Sequence, residues 1–453
     1  MLVKELINRF KEKRPVALMA RMALARLLAP QAIDQVFHDH AQEQYQRKIP
    51  FSALTELMAE VTLCLSPSVN AGYQKLRENL VAARSSVFNK LERVEPQVTQ
   101  ALVRYSYEQT RAICNEMRMW NASDVAGYRT KILDGNHLSG TEHRLQEMRT
   151  ERAAALPGKS LVVLDPRCRA IQDMFPIEDG HAQERSALDD VIETIEAKDL
   201  WVADRNFCTH KFMYAFHQSQ AMFVIRHHQN VVGQVRGTRR WIGDTETGRV
   251  YEQTMTLTPY EGKTLTLRRI TIVLYHPTRD HETTVVLLSN LPAEVADAVK
   301  IADIYLGRWQ IETAFQTLTT TLRCEVNTLC YPRAALFAFA TALLAYNAIT
   351  VVETAIRAEH GKAETDRLSK YCMALEIAST TDGMLVVLED SDFDIYHDMP
   401  VGEFCVVLRD VAHHIDLSRY RKNTRGPKKP VLMKRSNKRK VHISVAKVLS
   451  QRK

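Results

Sequence analysis

The spacing of apolar residues changes character near residue 128, and this change constrains the fold more than any other feature of the chain. Up to about residue 120 apolar side chains recur every three or four positions, as in Leu2, Leu6 and Phe10 and again in Leu54, Leu57 and Val61. That is the repeat of helices with one buried face. Ser66 and Pro67, followed by Ser68 and Asn70, break the pattern and offer a cap for a helix containing Tyr73, Leu76 and Leu80. From 128 onward short β-rich runs alternate with turn residues: YRTKILDGN, SLVVLDP and AIQDMFPIE, a helical stretch over 182–197, then LWVADRNF, a helix over 208–217 and the strand AMFVIRH. Hairpin strands followed by helix and strand predict a mixed α/β sheet.

Residues 229–292 differ again. Met255 and Leu257, Leu265 and Leu267, and Ile270, Ile272 and Leu274 alternate, with Asp244, Gly248, Pro259 and Gly262 between the runs. This predicts an antiparallel β insertion that interrupts the α/β domain. Helix then returns over 293–323 and 333–358. The stretch 334–352 has no charge and approaches the length of a bilayer span. Its seven alanines, with Thr341, Tyr346, Asn347 and Thr350, suit a helix buried in protein instead. Residues 361–418 hold a helix-like piece over 368–377 and two strand-like runs, MLVVLE and EFCVVLRD. The expected organisation is a helical region over 1–120, either a simple bundle or a helix-turn-helix gripping a DNA end. An α/β domain over 121–228 follows, then the insertion over 229–292, a helical remainder over 293–360 and a C-terminal region over 361–453.

The formal charge of +8 is unevenly placed. Residues 419–453 hold 14 Lys or Arg and no acid, so the rest of the chain sums to −6. Such a run, broken by Gly426, Pro427 and Pro430, suits either phosphate neutralisation on nucleic acid or a solvated terminus. A membrane surface is a poorer partner, because no wide apolar face accompanies the charges. The first residues, MLVKELINRFKEKRP, lack the apolar core of a secretory signal, which predicts an intracellular protein. The eight cysteines form no Cys-x-x-Cys pair and read as reduced, mostly buried thiols. The histidines, including the doublets His227/His228 and His413/His414, lack metalloprotease spacing.

Three apolar runs each deliver an aspartate: Asp134, Asp165 and Asp204. A carboxylate there must be exposed at a sheet end, hydrogen-bonded or bound to a cation, and the Asp134-Gly135 and Asp165-Pro166 pairs are also ordinary turn chemistry. In the helix beginning near Ala302, Tyr305, Arg308 and Glu312 are spaced three and four apart and fall within roughly 60° of one another. Thr319 and Arg323 extend that face. It reads either as an amphipathic helix with an Arg308–Glu312 pair or as a phenol, a guanidinium and a carboxylate aimed at one site.

Together these residues resemble the DDE transposases of bacterial insertion sequences, in the branch whose last acid lies in a Tyr-x2-Arg-x3-Glu-x6-Lys signature. The segment YLGRWQIETAFQTLT carries Tyr305, Arg308 and Glu312, ILDGNHL and WVADRNF stand where the first two acids belong, and the likeness covers about residues 125–350, insertion included. It implies a ribonuclease H-like fold with Asp134 and Asp204 on adjacent strands and Glu312 brought to them from a helix. It also implies two Mg²⁺ ions held by those three acids, with Tyr305 and Arg308 on the DNA phosphate. Thr319 departs from the signature lysine and supplies no cation; Arg323, one turn along, is the expected substitute. Trp309 and Trp241 are either core residues or stacking surfaces for an extruded base. The implied activity is cut-and-paste movement of DNA through hydrolysis, a hairpin and strand transfer. The implied partners are double-stranded DNA bearing terminal inverted repeats, target DNA, and a second copy in a homodimer at the cytoplasmic nucleoid. A transposase descendant with lapsed catalysis and a simple metal-dependent nuclease are the alternatives.

Overall fold

The computed structural model describes residues 2–46, 48–77, 80, 82–121, 125–278, 281–422 and 442–451. The N-terminal region is helical: α1 (Leu2–Lys13), α2 (Pro15–Leu27), α3 (Pro30–His40), α4 (Phe51–Thr62), α5 (Val69–Lys75), α6 (Arg84–Leu91) and α7 (Pro96–Glu116). Proline opens α2, α3 and α7, where its missing N–H would have had no partner in any case. Ser68 caps α5 by accepting from the Ala71 amide at 3.2 Å.

The α/β region follows as β1 (Arg129–His137), β2 (Ala154–Leu156), β3 (Lys159–Asp165), β4 (Ala170–Ile177), α8 (Leu188–Ile192), β5 (Asp199–Ala203), α9 (His210–Gln218) and β6 (Met222–Arg226). The expected insertion is β7 (Gly233–Asp244), β8 (Gly248–Leu257), β9 (Thr266–Leu274) and β10 (Thr284–Ser289). All of these strands except β2 form one nine-stranded sheet in the order β4-β3-β1-β5-β6-β10-β9-β8-β7. β1, β5 and β6 are parallel, β3 runs antiparallel to β1, and β4 runs antiparallel to β3 at the edge. This mixed sheet is the ribonuclease H-like arrangement. The insertion joins the same sheet, because β10 pairs antiparallel with β6.

The remaining elements are α10 (Ala298–Leu306), α11 (Trp309–Thr321), α12 (Pro332–His360), α13 (Lys362–Thr365), α14 (Lys370–Val387), α15 (Val401–Ala412), β11 (His442–Ser444) and α16 (Val445–Ser450). The apolar window of α12 is wholly buried, packed against α2, α4, α7, α15 and β4. The polar residues of that helix have partners: Thr341 and Thr350 donate to the carbonyls of Phe337 and Tyr346 one turn back, and Asn347 serves the sheet. β4 is an edge strand, and the Asn347 side chain supplies what a further strand would have supplied. Its Oδ1 accepts from the Ile171 amide at 2.8 Å, and its Nδ2 donates to the Ile171 carbonyl at 3.0 Å and to Ser106 at 2.9 Å.

Two expectations need correction. The runs MLVVLE and EFCVVLRD lie in α14 and α15, not in strands. In α15 the buried residues Phe404, Cys405, Leu408, Val411 and Ala412 are spaced for one helix face, and tertiary burial overrides the β preference of their valines. The helix expected over 182–197 shrinks to a 3₁₀ turn at Glu184–Ala187 and α8. Of the basic tail, Tyr420 is buried and donates to Glu376 at 2.6 Å, and β11 pairs with β2. Residues 423–441, with Gly426, Pro427 and Pro430, lie outside the described residues.

Replacing Asn347 by Leu leaves both polar backbone groups of Ile171 without their side-chain partner, and stability is expected to fall by about 3 kcal/mol. Urea unfolding of wild type and Asn347→Leu measures the loss, and equal stabilities would contradict the role given to this amide.

Candidate active site

Parallel pairing places the acids. Leu133 on β1 pairs with Ala203 on β5, and Ala203 with Ile225 on β6. The next residues, Asp134, Asp204 and Arg226, therefore stand in a row across three neighbouring strands about 4.8 Å apart, Asp134 inside β1, Asp204 just past β5 and Arg226 at the end of β6. β3 runs the other way, and Asp134 pairs with Val162 while Ile132 pairs with Leu164. Asp165 is thus carried to the opposite end of the sheet. There it accepts from the Tyr107 hydroxyl at 2.9 Å and the Arg167 amide at 2.8 Å, which is the plain turn role weighed for it above.

The third acid arrives from the helices. α10 packs against β5 and β6, and α11 packs against β1. Gly307 and Arg308 join them with right-handed helical backbone angles, so the helical spacing of Tyr305, Arg308 and Glu312 survives the junction. Arg308 donates through Nη1 to Asp134 at 2.8 Å and through Nη2 to Glu312 at 2.7 Å. The Tyr305 hydroxyl donates to Asp204 at 3.2 Å. One guanidinium and one phenol thus connect all three carboxylates.

Burial pushes Asp134 up to about 6, with Asp204 and Glu312 adding to the rise and Arg308 and the Gly135 amide opposing it. Burial and then Asp204 raise the Tyr305 phenol well above its ordinary range, so it stays a donor. For Arg308, burial works against the charge, but Tyr305 and the three acids outweigh it and hold the group firmly protonated.

Two neighbours were not legible in the sequence. Arg226 binds Glu282 at 2.5 Å, and its charge acts on Tyr305 and Asp204; its only signal was a strand ending in a cation. Glu184 accepts from Asn206 at 3.1 Å, and its carboxylate occupies the space that a side chain at residue 135 would need. Gly135 thus permits close approach within β1 and is not a turn former.

Arg323 and Thr319 are not brought to the acids. α11 ends at Thr321, and Leu322 takes extended backbone. Arg323 consequently leaves the helix face, its amide donating to Thr62 at 2.8 Å and its Nη1 to Ser66 at 2.9 Å. The exposed Thr319 donates to the carbonyls of Phe315 and Gln316 in its own helix. Trp309 and Trp241 are each 58% exposed, so neither is a core residue.

Three carboxylates at one sheet end are the hard oxygen donors that Mg²⁺ takes, so the donor chemistry fits a divalent ion. Among the described residues, however, no group of three or more His, Cys, Asp or Glu is arranged to hold one. Arg308 stands between Asp134 and Glu312.

Residues 128–348 match the family described as "Transposase DDE domain", a span that includes all three acids, Tyr305, Arg308 and the β insertion. No curated protein matches the chain.

A carboxyl with a folded pKa near 6 and an unfolded value of 3.8 binds its proton more tightly when folded. Its ionisation therefore costs stability above about pH 6, and the cost disappears as pH falls toward 4. Asp134→Asn is expected to melt higher than wild type at pH 7.5, with the difference vanishing near pH 4; a lower midpoint at pH 7.5 would contradict this. Arg323→Ala is expected to cost about 1–2 kcal/mol through its lost bond to Ser66, and thermal unfolding measures that.

Proposed function

The chain belongs to the DDE transposase family, and we propose that it moves a DNA segment by cut-and-paste, with Asp134, Asp204 and Glu312 as the catalytic carboxylates. The supporting observation is the convergence of these acids on Arg308 and Tyr305 at one end of the sheet. Members of this family cut and join DNA and generally use divalent metals. When bound by Asp134, Asp204 and Glu312, two Mg²⁺ ions would neutralise the phosphate and acidify the attacking water or 3′-hydroxyl.

The chain's own groups do the rest. Arg308 presents a planar fork that already spans two carboxylate oxygens, and the same fork matches two phosphate oxygens. Tyr305, kept protonated, holds Asp204 in orientation through its hydroxyl. Arg226 is the nearer second cation, because Arg323 is committed to Ser66. Trp309 lies exposed beside Arg308, its ring centroid 5.8 Å from the guanidinium, and Trp241 is exposed on the edge strand β7. Both are free to stack on a base extruded when a hairpin forms. The partners are duplex DNA with terminal inverted repeats, target DNA and a second copy of the chain, since joining two ends in one complex requires two active sites. The cationic stretch around Lys428, Lys429 and Lys438–Lys440 adds charge for the DNA backbone, and the setting is the cytoplasmic nucleoid.

The test is excision. A plasmid carrying the gene with its flanking DNA is incubated with Mg²⁺ and either wild type or Glu312→Gln. Wild type is expected to release a fragment with hairpin ends; Glu312→Gln is expected to bind the ends and release nothing. Nicking without hairpins would favour a simple nuclease, and end binding without cleavage by wild type would favour the lapsed enzyme, for which Thr319 is the motivating residue.

A further inference from the structure

We propose that Arg308 is a built-in counterion for the catalytic carboxylates, so that a divalent ion gains its ligands only as DNA phosphate draws the guanidinium out. This inference rests on the reading of Asp134, Asp204 and Glu312 as metal-binding acids.

The contacts are divided in a way that a simple ion pair is not. Each terminal nitrogen of Arg308 serves a different acid, Asp134 at 2.8 Å and Glu312 at 2.7 Å. The side chain is 10% exposed, and the guanidinium thus lies between the two acids that would share an ion. Three carboxylates gathered at one sheet end repel one another, and a cation belonging to the chain is present whether or not metal is. The same position is incomplete for arginine, because its buried Nε has no hydrogen-bond partner. An unpartnered buried donor lowers the cost of moving the group elsewhere.

The backbone allows such a move. Arg308 sits at the junction of α10 and α11, not inside either helix, so its side chain can turn while the buried Ile304 and Ile311 keep both helices on the sheet. The exposed Trp309 adjoins it, which marks the solvent side on which a duplex lies. Phosphate offers the fork two oxygens in the geometry that the two carboxylates now provide. On exchange one positive charge leaves the acids and a divalent ion takes its place. DNA and metal must then raise each other's affinity by the same factor. Without an end bound, the acids remain closed to metal, and indiscriminate cutting is suppressed.

The probe is Mn²⁺, with the free ion counted by its electron paramagnetic resonance signal. It is titrated into the full chain alone and with a duplex that represents an already cut end, so that no chemistry intervenes. Wild type is expected to bind Mn²⁺ weakly alone and about tenfold or more tightly with duplex, within the usual range for coupled sites. Arg308→Gln is expected to bind tightly without DNA and to gain less than about twofold from it. Tight DNA-free binding by wild type, equal to that of Arg308→Gln, would overturn the counterion role and leave the metal reading standing. No Mn²⁺ binding by either protein even with duplex would sink both. If Arg308→Gln melts far below wild type, the wild-type titration decides alone: affinity unchanged by duplex overturns the proposal.

Discussion

The parallel pairing of β1 with β5 is the constraint on which the candidate active site depends. It sends Asp134 and Asp204 to the same end of the sheet, and the register Leu133 to Ala203 makes them neighbours across the ladder. Antiparallel pairing with β3 sends Asp165 away. The same geometry creates an electrostatic problem, since carboxylates on adjacent strands repel and burial raises Asp134 further. Arg308, Tyr305 and the Gly135 amide meet that problem with donors aimed at individual oxygens.

Buried packing holds the elements that carry this charged cluster. α12 runs buried through the structure and secures the edge strand β4 through Asn347. Buried Ile301, Ile304 and Ile311 hold α10 and α11 to the sheet, so Tyr305 and Glu312 are fixed by packing on regular elements, which is the arrangement that best preserves catalytic geometry. The junction between those two helices is the place where a side chain can change partners without disturbing the core.

Much of this was legible in the sequence, for local reasons. An acid closing an apolar run marks a strand end, which holds for Asp204 just past β5, whereas β1 continues beyond Asp134 to His137. Spacing of three and four located Tyr305, Arg308 and Glu312 on one face, and it held because Gly307 and Arg308 keep helical backbone angles. What failed depends on distant partners. The end of α11 is set where Leu322 turns to extended backbone and Arg323 meets Thr62 and Ser66, far away in the chain. Arg226 and Glu184 reach the site only through strand order and a close approach at Gly135. MLVVLE and EFCVVLRD fit a strand or a helix equally well by composition, and their packing decides.

The central claim is that Asp134, Asp204 and Glu312 form one cation-holding centre. Iron-directed cleavage of the polypeptide tests it most directly: Fe²⁺ replaces Mg²⁺ in the protein bound to a cut-end duplex, ascorbate and peroxide are added, and the fragments are mapped. Cuts near residues 134, 204 and 312, all lost in Asp204→Asn, are the expected result. Cuts elsewhere, or an unchanged pattern in Asp204→Asn, would contradict it.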